Sequence, residues 1–245
     1  MDNLVVLVHS PLVGPFSWSL VAQHLQAAGF DVLVPTLSDS GETPPPYWQQ
    51  HAASVQRALV SIPPERPLVF VGHSGAGSLL PVLAQAAQHP VKAYLFVDAG
   101  LPHPGQSRLD EMEASVPEFA QELRQHLASG QRFPHWSDED LSEDLPDERA
   151  RQQMLAELQP RPLSFFEEIM PVVAGWPDAP CGYLLFTQGY RSFLEQAQRA
   201  GWPSRTFHAG HFHMLVDPVA VAAALVELMK QIAALPPEFL DVIIK

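Results

Sequence analysis

The chain has 245 residues, is 47% hydrophobic and is long enough to bury the core of one α/β domain. Lys+Arg number 14 against 27 Asp+Glu, and the formal net charge of −13 argues against nucleic acid and anionic membrane as partners. A single cysteine, Cys181, rules out an internal disulfide and makes a reducing, cytoplasmic setting the expected one. No apolar run reaches the roughly 20 residues that a membrane-spanning helix needs. The segment from Met1 to Val8 is apolar but short, with no basic leader or cleavage site, so no signal peptide is expected.

The elements alternate in the first hundred residues. Leu4–Val8 reads as a strand, Phe16–Ala28 as a helix closing at Gly29, and Asp31–Pro35 as a second strand. Tyr47–Ser61 reads as a helix entered through Pro44-Pro45-Pro46. Leu68–Val71 is the third strand, Gly75–Gln88 a helix that Pro81 should bend, and Lys92–Val97 the fourth strand. Continuous apolar strands separated by helices imply an α/β fold with a mostly parallel sheet of about six strands, covered on both faces. From Pro102 to Pro180 there are helical patterns only: Ser107–Ser129, Asp147–Gln159 and a piece near Leu163–Met170. A helical block between two strands of one sheet reads as a cap, giving residues 1–101 and 180–245 as core and 102–179 as insertion. Alternation resumes with Gly182–Phe186, a helix Tyr190–Ala200, a short strand Arg205–Phe207 and a long helix Pro218–Ala234. The tail Leu235–Lys245 ends in Phe239-Leu240-Asp241-Val242-Ile243-Ile244 and is expected to pack on the body or on a second subunit, so a homodimer is one expectation.

The third strand runs into Gly72-His73-Ser74-Gly75-Ala76. A serine on a sharp strand-to-helix turn presents its hydroxyl beyond the sheet, where a base and a substrate can reach it. Small flanking residues are needed because strand and helix approach closely there. Ser74 is therefore a candidate nucleophile. A serine hydroxyl needs an adjacent base, and the candidate lies in Gly210-His211-Phe212-His213, ahead of the last helix.

These features resemble an α/β-hydrolase: a Gly-x-Ser-x-small turn, a helical cap and a Gly-His loop before the final helix. The similarity covers nearly the whole chain, from what corresponds to the family's third strand onward. It is greatest to small plant esterases and hydroxynitrile lyases. In that family the catalytic histidine follows a glycine and precedes a proline by seven positions, which selects His211 over His213. The resemblance places the acid after the penultimate strand, but Gly182–Leu194 holds no Asp or Glu. Asp98, at the end of the fourth strand, is the substitute, with Glu195 and Asp178 as weaker alternatives. The order Ser74, Asp98, His211 suits this fold. The oxyanion hole would take the Gly75 N–H and a donor from the loop after the first strand. There the chain reads His9-Ser10-Pro11-Leu12, and Pro11 has no N–H. The donor then moves to Leu12, or the Ser10 hydroxyl stands in.

The aromatic residues Phe133, Trp136, Phe165, Phe166 and Trp176 should form the core of the insertion, with some lining an apolar substrate pocket. Trp136, Phe165 and Phe16 are the candidate substrate contacts. His208, His211 and His213 have no carboxylate or cysteine cluster beside them, so neither a metal nor another cofactor is expected. Cys181 reads as an inert core thiol. The resulting expectation is a serine hydrolase that cleaves a small, apolar carboxylic ester, thioester or lactone through an acyl-enzyme. A cofactor-free lyase is the alternative, weakened by Phe212 where the lyases often have lysine. A ligand-binding relative impaired in catalysis is the other.

Overall fold

A computed structural model of the protein describes residues 3–39 and 46–235. Six parallel strands, β1 (Leu4–Val8), β2 (Asp31–Leu33), β3 (Leu68–His73), β4 (Val91–Val97), β5 (Cys181–Leu185) and β6 (Ser204–Thr206), form one sheet in the order β2-β1-β3-β4-β5-β6. Successive strand residues point to opposite faces, and both faces are covered. On one face Val6, Val8 and Phe70 pack with Val55, Leu83 and Phe193. On the other, Val5, Leu7 and Val71 pack with Trp18, Leu25, Val221 and Leu228.

The strand order reverses between β1 and β3, which are neighbours. In an open parallel sheet the crevice at the carboxyl ends of such strands is where ligands bind. The loop from His9 to Leu12 leaves β1 there, and Ser74 leaves β3.

Helices α1 (Phe16–Ala27) and α2 (Tyr47–Ala58) precede β3. Gly29, at φ 87°, ends the first as expected. The predicted continuous helix after β3 is divided instead. Ser74–Leu79 is a 3₁₀ turn and α3 runs over Leu80–Ala87. Pro81 sits in the first turn of α3, where its missing N–H costs no helical bond, so it starts the helix rather than bending it.

Between β4 and β5 lie α4 (Arg108–Ser115), α5 (Pro117–Ala128), α6 (Asp138–Leu141), α7 (Glu148–Ala156) and α8 (Leu163–Phe166), with no strand of the sheet among them. The helix predicted over Ser107–Ser129 is broken at Val116, whose φ −142° and ψ 67° are non-helical. Pro117 causes this by excluding the preceding residue from helical geometry. The acidic run at 138–140 is exposed and forms an unanticipated short helix, opened by a Ser137–Asp140 capping box. Leu109, Leu123, Leu127, Phe165 and Phe166 make a core for this insertion with Tyr47 of α2. Leu141, Leu145 and Met154 join the core that contains α1.

After β5 come α9 (Arg191–Arg199), the short α10 (His213–Val216) and α11 (Pro218–Ala233). Cys181 is buried at the start of β5, and burial pushes its thiol well above the usual range. Residues 236–245 of the tail, and Pro44 and Pro45, lie outside the described residues. Among the described residues no helix is long and apolar enough to cross a membrane.

Candidate active site

Ser74 ends β3 with φ 56°, a left-handed conformation that an L side chain adopts only under constraint. The sequence around it allows this sharp junction. A Cβ at Gly72 would sit 3.0 Å from Leu80 Cδ2, and one at Gly77 would sit 2.0 Å from the Gly100 carbonyl oxygen. Ala76 is fully buried. Small residues are thus required where the 3₁₀ turn passes the end of β4.

Asp98 ends that neighbouring strand and is also left-handed, at φ 42°. It is completely buried. Its Oδ1 accepts the N–H groups of Phe186 and Thr187, both at 2.9 Å, and its Oδ2 accepts the Thr187 hydroxyl at 3.0 Å. Tyr183 clamps the following residue by donating to the Ala99 carbonyl at 2.6 Å and accepting its N–H at 3.2 Å. The remaining partner of Asp98 Oδ2 is His211 Nδ1, at 2.7 Å. A carboxylate so placed holds the imidazole in the tautomer with its hydrogen on Nδ1, leaving Nε2 without one.

The other candidate acids lie elsewhere. Glu195 is exposed and pairs with Arg191. Asp178 accepts the Tyr94 hydroxyl and lines a different cavity. The position after β5 that the resemblance favoured for the acid holds Thr187, which now serves as the anchor of Asp98.

His211 is packed on three sides. Tyr190 stacks on it with ring centroids 5.3 Å apart and planes 1° from parallel. His73 lies beneath it at 4.4 Å and donates Nε2–H to its carbonyl oxygen at 3.0 Å. Phe212 contacts its edge at 5.2 Å. His213 is turned away and packs between Phe186 and Phe207. Among the described residues no group of three or more His, Cys, Asp and Glu is arranged to hold a metal ion.

Ser74 Oγ hydrogen-bonds to Tyr190, 3.2 Å from its hydroxyl oxygen, and among the described residues no hydrogen bond joins it to His211. Burial raises the Tyr190 phenol, so it is neutral at ordinary pH and able to donate. When Tyr190 donates to Ser74 Oγ, the serine's own hydrogen is free to point elsewhere. Tyr190 was missed from the sequence. It lies within the Thr187–Tyr190 segment, which stood out only for lacking a carboxylate.

The loop after β1 is held from beneath. Leu37 N–H donates to His9 Nε2 at 3.0 Å, so His9 carries its hydrogen on Nδ1, which donates to the Ser10 carbonyl at 2.8 Å. Arg161 donates twice to the Pro11 carbonyl at 3.1 Å and pairs with Asp39. Leu12 N–H is 3.4 Å from Ser10 Oγ, a weak contact that a better acceptor displaces. A Cβ on Gly75 would lie 3.6 Å from Ser10 Oγ and 3.7 Å from Pro11 Cδ, so the loop after β1 passes close to Gly75.

Burial lowers the pKa of His9 from 6.5 to about 4. The unfolded chain therefore binds this proton first as pH falls, and stability is lost between about 6.5 and 4. His9 alone accounts for about 3 kcal/mol across that window. His9→Gln should show a shallower decline of unfolding free energy from pH 6.5 to 4 in urea titrations; an unchanged slope would exclude His9 as a source.

Ser74, Gly75, Leu12, His211 and Tyr190 share one cavity of about 310 Å³. Phe119, Phe133, Trp136, Phe165 and Phe166 line it, placing the predicted contacts Trp136 and Phe165 at the site. Phe16 is not among the residues that line this cavity; it packs against the core that contains Trp18, and its N–H donates to Glu157. Trp176 packs on Tyr94, Phe96 and Trp202, away from Ser74. A second cavity of about 410 Å³ is lined by Val5, Val69 and Ala93 on the sheet, and by neither Ser74 nor His211.

A doubly covered parallel sheet, a serine on a strained strand end and an Asp–His pair beside it define a recognisable class of protein. The family model described as the alpha/beta hydrolase family matches residues 5–224, and the chain belongs to that family. It is similar to polyneuridine aldehyde esterase of Rauvolfia serpentina, 27% identical over 107 residues, covering 42% of this chain and 40% of that protein. It is also similar to methylesterase 1 of Arabidopsis thaliana, 28% identical over 124 residues and covering 47% of each chain. The matched stretch thus spans less than half the length of these curated relatives. Among solved structures, an extracellular alpha/beta-hydrolase from a Paenibacillus species aligns with TM-score 0.73 and 19% identity, covering 92% of this chain and 98% of that one.

Proposed function

We propose that this protein is a serine hydrolase that cleaves a small carboxylic ester through an acyl-enzyme. The observation that carries this reading is the 2.7 Å bond from His211 Nδ1 to buried Asp98, with Ser74 on its left-handed strand end in the same cavity. The two curated relatives, both named as esterases, support the ester class.

In this reading Ser74 Oγ attacks the ester carbonyl carbon as its proton passes to His211 Nε2. Asp98 stabilises the imidazolium through Nδ1–H. The carbonyl oxygen, now negative, takes hydrogen bonds from the N–H groups of Gly75 and Leu12, since Pro11 supplies none. His211 returns the proton to the leaving alcohol as the C–O bond breaks. Water then attacks the acyl-enzyme by the same route, releasing the acid and restoring Ser74. The helical insertion acts as a cap that supplies the aromatic wall of the pocket.

A cavity of 310 Å³ is at the small end for ligand sites, which suits a short acyl chain. The lyase alternative is weakened by Phe212, which stands where the lyases often have lysine, is 3% exposed and packs in the core. Release of acid from methyl hexanoate tests the proposal, and absence of turnover on a panel of short esters by folded protein would favour the ligand-binding alternative.

Tyr190 is a positioning residue here, fixing the serine rotamer through its hydroxyl. Tyr190→Phe retains the stacking on His211 and removes one hydrogen bond. It should lower kcat about tenfold with little change in KM. A variant with full kcat would show that the contact to Ser74 has no part in turnover.

A further inference from the structure

The cavity over Ser74 is mostly apolar, yet Arg108 lines it. Arg108 stands in the first turn of α4 and is 5% exposed. Its Nη1 donates to the Phe165 carbonyl at 3.1 Å and lies 3.6 Å from Glu168 Oε2. Its guanidinium carbon lies 4.1 Å from the centroid of the Phe165 ring. Nε and Nη2 are buried and have no hydrogen-bond partner among the described residues.

Those two donors form one edge of the planar guanidinium. Their N–H bonds run side by side, the fork that a carboxylate accepts through both oxygens. No nearby acid fills that role. Glu168 spends its carboxylate on the N–H groups of Tyr47 and Trp48 at the start of α2. Glu111 lines the same cavity, but among the described residues it forms no ion pair with Arg108. Its carboxyl lies against Gly100, where a Cβ would be 1.9 Å from Oε1, and burial raises its pKa to about 7. Glu168 and Glu111 counter the charge of Arg108, but two unused donors remain unfavourable unless an acceptor arrives to take them. A purely hydrocarbon acyl chain provides none.

We propose that Arg108, whose Nε and Nη2 are sealed from the cavity until its side chain turns, receives a free carboxylate of the substrate on those two donors, so that the preferred substrates are half-esters of short dicarboxylic acids. The ester carbonyl would lie at Ser74 and the methylene chain among Phe119, Phe133 and Trp136. This rests on the hydrolase reading above and narrows its substrate class.

Monomethyl adipate and methyl hexanoate form a matched pair that differs only in the terminal carboxylate. Wild-type protein should show the higher kcat/KM for monomethyl adipate. Arg108→Met should lower that value roughly 10- to 100-fold more than it lowers the value for methyl hexanoate, which registers any loss of the Phe165 and Glu168 contacts. Arg108→Lys, which keeps the charge without the fork, should recover only part of it. A wild-type preference for methyl hexanoate, or an equal loss on both esters, would overturn the inference and leave the hydrolase reading intact. Calorimetric titration of Ser74→Ala protein with monomethyl adipate reads the site without turnover and without altering Arg108. Binding tighter than that of dimethyl adipate supports the carboxylate site, and equal or weaker binding refutes it. Turnover of neither ester by wild-type protein, with binding of monomethyl adipate intact, would count against the hydrolase reading alone.

Discussion

Asp98→Asn should reduce kcat by about 10⁴-fold while the protein remains folded. Four hydrogen bonds converge on this carboxylate. An asparagine keeps its carbonyl oxygen on the Phe186 and Thr187 N–H groups, which have no other use for their hydrogens. Its amide nitrogen then occupies the position of Oδ2 and meets His211 Nδ1, now 2.7 Å from an acceptor. A donor in that place requires Nδ1 to accept, so the ring hydrogen moves to Nε2. His211 can no longer take a proton from Ser74, although no atom has moved far. Asp98→Ala has a different outcome, because it leaves two buried N–H groups unpaired at about 1–3 kcal/mol each and should lower stability measurably. Turnover by Asp98→Asn, compared with its urea midpoint, separates the two effects. Near-normal kcat in a folded variant would remove Asp98 from the catalytic set.

Ser74→Ala should lower turnover by roughly 10⁴-fold or more, because it removes the atom that becomes acylated. Folding should survive. Ser74 is buried at 8% exposure and loses one hydrogen bond, to Tyr190, while the left-handed backbone that it occupies is held by neighbours on both sides. Substrate binding should persist, since the aromatic wall and the Leu12 loop are untouched. Comparable ester cleavage by Ser74→Ala and wild-type protein would end the serine-nucleophile proposal.

Much of this arrangement is readable along the chain. Apolar runs such as Leu4–Val8 and Leu68–Val71 identify the buried strands, and the break in alternation after β4 marks the helical insertion. Ser74 stands out by its small neighbours, and His211 by Gly210 before it and Pro218 seven positions on, the spacing that the family resemblance implies. Asp98 emerges by elimination, through the lack of any acid from Gly182 to Leu194. What local pattern does not reveal is what the chain does across space. Thr187 anchors Asp98 from 89 positions away, and Tyr190 reaches Ser74 across 116. Neither carries a sequence signature, because hydroxyl groups in loops are common and only the fold brings these two together. Arg108 looks like an ordinary charge at the start of an amphipathic helix until α8 packs over it. Two predicted helices divide at prolines, Pro81 and Pro117, where the rule about the missing N–H is clear but the position within the helix is not. Phe16 was expected at the pocket because it follows the Leu12 loop, yet α1 turns it toward the core.

The account turns on whether Ser74 is an activated nucleophile. Labelling the folded protein with a fluorophosphonate and mapping the modified residue by peptide mass spectrometry tests this directly. The account predicts one covalent adduct, on Ser74, absent from Ser74→Ala and formed far more slowly by Asp98→Asn. An unlabelled Ser74 in folded, accessible protein, or equal labelling rates in wild-type and Asp98→Asn protein, would contradict it.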